Sequence, residues 1–168
     1  MIKLILASIV LFVSLLLVET AILANIAYLP TVPDIMLIAV MYLAFKNGTL
    51  AGETAGFFSG LLLDFVSGGP FGLNCLVRTI VGYVCGLCAR TLNSGGIFIP
   101  ALLGLCVTLF KIMLTNMVSF FYPQGQILSF HLFSIHAASE LTLNTVIAPV
   151  LFKFFSLFGI FSGKQRNI

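Results

Sequence analysis

Charge is what this chain has least of. Of its 168 residues, 8 are Lys or Arg and 5 are Asp or Glu, so 8% are charged, against about a quarter in soluble domains. Together with 60% hydrophobic residues and a mean hydropathy of +1.18, this excludes a water-soluble domain and points to an integral membrane protein. At about 20 residues per span the length allows six or seven helices and leaves no room for a soluble domain beside them. Catalysis by a domain outside the bilayer is thereby excluded. The chain has only two histidines. Its four cysteines, Cys75, Cys85, Cys88 and Cys106, fall within apolar stretches, and Cys85-Gly-Leu-Cys88 has no second ligand pair at metal spacing. They read as small buried thiols, and no metal, cofactor or nucleic acid is expected.

What is present begins with a ridge. Gly48, Gly52, Gly56 and Gly60 recur every fourth residue and lead to Asp64. In water each glycine would cost a helix about 1 kcal/mol relative to alanine. In lipid such small-xxx-small ridges let backbones touch, and packing drives association where the solvent is already apolar. The four glycines are therefore candidates for helix packing or for receiving a partner helix.

Turn formers divide the chain into spans expected at 4–27, 33–46, 48–66, 71–91, 97–121 and 134–160. The apolar start resembles a signal peptide but continues to about Ala24 and ends at a poor cleavage site, so it reads as a retained first span. The second span is short for a hydrocarbon core about 30 Å thick. Charge decides in its favour: if all six cross with the N-terminus inside, Lys3, Lys46, Arg90, Lys164 and Arg166 all fall on the cytoplasmic side. The expectation is one domain over 1–168, an all-α bundle of six transmembrane helices with both termini cytoplasmic.

This topology places Glu19, Asp34, Asp64 and Glu140 in the outer half with Arg78 and Lys111, and leaves Glu53 near the inner face. Unpaired charges in a bilayer cost at least about 2.5–3.5 kcal/mol each, so these six residues are expected to form a structural cluster. Asp64 and Arg78, joined by a tight turn, are the expected pair. His136, Glu140 and Asn144 share one face of the last span and suit interhelical hydrogen bonds better than a metal site. Pro149 should kink that span and free a carbonyl for a donor such as Asn144. Residues 124–133 read as a short segment at the membrane interface.

Pro33-Asp34 before a short apolar helix, Asn47-Gly48, the string from Gly52 through Gly56 and Gly60 to Asp64, then Pro70-Phe71-Gly72-Leu73 and Gly82-Tyr83 resemble the rod shape-determining protein MreD family. The pattern covers about residues 30–90, and length and span count agree over the whole chain. Its motif positions here are Pro33, Asp34, Gly56, Asp64, Pro70 and Gly72. The resemblance implies a multi-pass protein of the bacterial cytoplasmic membrane, part of the cell-elongation machinery. Implied partners are MreC, the actin-like MreB, and the SEDS polymerase with its class B penicillin-binding protein, besides membrane lipid. No catalytic residue comes with it, so a non-catalytic scaffold is expected. The implied fold also looks like the substrate-binding S-component of energy-coupling-factor vitamin transporters. A vitamin-transporter subunit is the alternative, against which stands the missing Ala-x-x-x-Ala motif in the first span. A lipid-modifying enzyme or an ion carrier would have to rest on His136 with Glu140, or on Glu19, Asp64 and Arg78.

Overall fold

The computed structural model describes residues 2–22, 31–68, 71–89, 96–121 and 135–157. Helix α1 (Ile2–Leu17) runs on into one π-helical turn at Val18–Ile22. It is followed by α2 (Ile35–Asn47), α3 (Thr49–Ser67), α4 (Leu73–Cys88), α5 (Phe98–Phe121) and α6 (Ile135–Leu157). Among the described residues there is no strand. The helices fall within a few residues of the expected spans, α1 starting two residues earlier and α2 and α3 each ending one residue later. Residues 23–27, Pro70, the interfacial segment 124–133 and the basic tail lie outside the described residues.

Helix α2 is the centre. All ten residues from Met36 to Phe45 are buried, none more than 4% exposed. A helix that is apolar around its whole circumference needs neighbours on every side, and α1, α3, α4 and α6 supply them. Tyr42 packs on Phe152 and Phe155 of α6 with ring centroids 5.4 and 5.5 Å away. Thirteen residues rise only about 20 Å, so α2 is shorter than the bilayer core, while Phe98–Val118 and Ile135–Leu157 are long and apolar enough to cross it.

Gly48 ends α2 and starts α3. Its φ of +87° is a conformation that side chains with a Cβ rarely adopt, and its N–H donates to the Ala44 carbonyl at 2.8 Å. A Cβ there would meet nothing, so Gly48 serves the turn and not the packing ridge to which its spacing assigned it.

The remaining ridge is engaged within the chain. A Cβ on Gly52 would overlap the Gly82 carbonyl, one on Gly56 the Arg78 carbonyl, and one on Gly60 the Cys75 backbone. From the other side Gly82 meets Gly52, and Gly86 meets Thr49. Helices α3 and α4 thus form an antiparallel pair interlocked backbone to backbone, which leaves Gly52, Gly56 and Gly60 no surface to offer a partner. In the second pair, α5 and α6, Gly104 lies against Ala148 and the Asn144 backbone. Helix α6 is continuous on both sides of Pro149.

The contact at Gly56 is with main chain, which cannot rotate away, and overpacking costs typically about 1–3 kcal/mol. Gly56→Leu is expected to lower the yield of monodisperse protein in mild detergent severely. Leu50→Ala, at a residue 77% exposed, should leave it unchanged. Equal yields by size-exclusion chromatography would show that the interlock is dispensable.

Candidate functional site

Asp34 occupies the N-cap of α2, where its side chain accepts from Leu37 N–H at 2.9 Å and satisfies one of the donors a helix start leaves unpaired. The helix dipole favours a carboxylate there. The same Oδ1 accepts from Arg78 Nη2 of α4 at 2.7 Å, and Oδ2 accepts from Lys111 Nζ of α5 at 2.7 Å. Lys111 reaches on to Glu140 Oε1 of α6 at 2.6 Å. One carboxylate therefore ties α2 to α4 and α5, and one ammonium ties α5 to α6.

A neutral chain runs beside these ion pairs. Asp34 N–H donates to Asn144 Oδ1 at 2.9 Å, Asn144 Nδ2 donates to Thr108 Oγ1 at 3.1 Å, and Thr108 donates to the Gly104 carbonyl at 2.7 Å. Just before α2, Thr31 Oγ1 donates to the His136 carbonyl at 3.0 Å and meets Ser139 Oγ at 2.7 Å. Glu19, on the π-helical turn that ends α1, accepts from Met36 N–H at 3.4 Å. Two acidic side chains thus meet the N-terminus of α2. The Arg78, Asp34 and Glu140 side chains are at most 6% exposed and Lys111 is 23% exposed. Among the described residues, Arg78 Nη1 and Tyr42 Oη are the buried side-chain polar atoms without a hydrogen-bond partner.

Five of the six residues grouped from the sequence, Glu19, Asp34, Arg78, Lys111 and Glu140, converge here. Asp64 does not. Its Oδ2 accepts from Gly72 and Cys75 N–H at 3.0 and 3.1 Å, and its Oδ1 from Asn74 N–H and Nδ2 at 3.1 and 2.9 Å. The N-cap of α4 is Gly72, which has no side chain to offer, so Asp64 caps that helix from the preceding one. The expected Asp64–Arg78 pair is replaced by Asp34–Arg78. Close contact of the Arg78 backbone with Gly56 accompanies a side chain that reaches α2 instead.

Of the face formed by His136, Glu140 and Asn144, only the last two are buried, at 4% and 1% exposure, while His136 is exposed. Asn144 bonds Thr108 and Asp34, not a carbonyl freed by Pro149. Thr108 and Thr31 carried no sequence signal that sets them apart from the many back-bonding threonines. Among the described residues, no group of three His, Cys, Asp or Glu is placed to hold a metal ion. Most carboxylate oxygens of the centre are engaged by donors from other helices.

Asp34→Ala strands Arg78 and leaves Lys111 with Glu140 alone, and is expected to cost about 3–5 kcal/mol, the range for breaking a buried pair from one side. Asp34→Asn, which keeps a capping oxygen, should cost less. Asp64→Ala, which only removes a cap, should cost about 2 kcal/mol and leave the Asp34 centre intact. Thermal unfolding of the four proteins in one detergent checks the order; a milder effect for Asp34→Ala than for Asp64→Ala would contradict it.

No curated protein matches the chain. The sequence profile of a family described as rod shape-determining protein MreD matches residues 1–158. That span contains all six helices, the interlocked α3–α4 pair and the buried charge centre. The chain belongs to the MreD family of rod shape-determining membrane proteins.

Proposed function

We propose that this protein is a non-catalytic scaffold of the cell-elongation machinery, a six-span bundle of the cytoplasmic membrane with both termini inside. It receives the single transmembrane helix of MreC. In doing so it helps couple the MreB cytoskeleton to peptidoglycan synthesis by the SEDS polymerase and its class B penicillin-binding partner.

The observation that carries this reading, beside family membership, is where the buried charge is spent. Each ion pair joins two different helices, an arrangement that ties α2, α4, α5 and α6 together and restrains their relative motion. Restraint of that kind suits a docking platform, whose partner binds without first ordering it. With the glycine ridge consumed by α4, docking falls to the outer faces. Phe57 and Phe65 on α3, Phe71 before α4, and Leu76, Tyr83, Val84 and Leu87 on α4 are exposed apolar side chains available to a partner within the membrane. The basic residues Lys3, Lys46, Arg90, Lys164 and Arg166 set the orientation by the positive-inside bias.

Affinity purification of the tagged full-length protein in mild detergent tests the proposal. Co-purification of MreC and the synthase pair is expected, reduced at least tenfold by Phe57→Ala with Tyr83→Ala, with the protein itself still monodisperse. Recovery of ATPase subunits of a vitamin transporter in place of MreC would overturn it.

A further inference from the structure

A cavity of about 160 Å³ lies between α1 and α3 over the flank of α2, lined by Ser8, Ile9 and Phe12, by Leu43 and Asn47, and by Ala51, Thr54, Ala55 and Phe58. Its floor is buried: Phe12 is 1%, Leu43 2% and Ala55 7% exposed, while Ile9 and Phe58 stand at the rim. No lining residue carries charge. Two of the polar ones are bonded to their own helices, Asn47 Nδ2 to the Leu43 carbonyl at 3.1 Å and Thr54 Oγ1 to the Leu50 carbonyl at 2.9 Å. Ser8 is likewise engaged. The walls therefore present little that a polar ligand could use.

The size narrows the occupant further. An apolar cavity of about 150 Å³ takes a molecule the size of benzene, so this one takes a run of about six carbons. A transmembrane helix is about 10–12 Å across with its side chains and could not enter without parting α1 from α3, which touch beside the cavity. A single alkyl chain is narrow enough. Lys46 sits next to Asn47, where α2 ends, and a cation at that level is placed to meet an anionic headgroup.

We infer that this cavity holds one acyl chain of a membrane phospholipid from the leaflet on which Lys46 lies, ordered against Phe12, Leu43 and Ala55 as part of the α1–α3 contact. The chain substitutes for side chains that α1 lacks: Ser8 is small, and facing it Ala51 and Ala55 leave the gap that the hydrocarbon fills. This inference stands apart from the scaffold reading and requires only that the protein sits in a bilayer.

The test is photolabelling of the purified full-length protein in nanodiscs that contain phosphatidylglycerol with a diazirine near the middle of one acyl chain, with labelled peptides mapped by mass spectrometry. Labelling of Ser8–Phe12 and Ala51–Phe58 is expected at least threefold above that of the exposed α6 positions Val146 and Val150. Ala51→Leu and, from the opposite wall, Ser8→Leu should each bring it down to the α6 level while α6 labelling is unchanged. Uniform labelling of all exposed helices in the wild-type protein would overturn the inference whatever the variants do. So would labelling that neither variant reduces.

Discussion

Asp34 joins the start of the central helix to two buried cations, Arg78 of α4 and Lys111 of α5. Helix α2, about 20 Å long, is shorter than the hydrocarbon core and is buried on every side, so it gains its place from its neighbours. In a membrane the hydrophobic effect does not hold helices together. Something else has to set which helices surround α2 and at what height, and a carboxylate shared by Arg78 and Lys111 does so. Because each partner would be costly to leave unpaired in hydrocarbon, alternative arrangements of α4, α5 and α6 are penalised more than this one is stabilised.

The glycine interlock and the charge centre depend on each other. Gly56 brings the α3 backbone against the Arg78 carbonyl, and Arg78 in turn donates to Asp34 on α2. A shift of α4 along α3 by one turn would move Arg78 about 5.4 Å, beyond hydrogen-bond reach of Asp34. Asp64, capping α4 from the end of α3, holds the same register from the other end. Three separate devices thus fix one helix: close backbone contact, an ion pair and a cap. On the far side, Lys111 and the Asn144–Thr108 bond hold α5 and α6 to each other and to Asp34.

The helices, the members of the charge centre and the family were legible in the sequence because each has a local signature: apolar runs between turn formers, charges too few to be accidental, and a spaced string from Gly52 to Asp64. Pairing within the centre was not. Which carboxylate meets Arg78 depends on the rotation of α4, and that is set by Gly56 and Gly60 meeting backbone across the interface, a fact about two helices at once. Asp64 was misread for the same reason, since its role follows from Gly72 having no side chain at the cap of another helix. The central position of α2 was hidden because lipid-facing and protein-buried segments are equally apolar; its short length was the one clue, and the placement of the basic residues outweighed it. Gly48 kept the ridge spacing by coincidence with a turn.

The central claim is that α2 is the core and that Asp34 holds the other helices to it. Amide hydrogen exchange of the wild-type protein and Asp34→Ala in nanodiscs tests it most directly. The wild-type amides from Met36 to Phe45 should exchange slowest in the chain, and Asp34→Ala should speed exchange in α2 and in α4, α5 and α6 around Arg78, Lys111 and Glu140 together, with α3 less affected. Exchange in α2 as fast as in α1, or a change in Asp34→Ala confined to the first turn of α2, would contradict it.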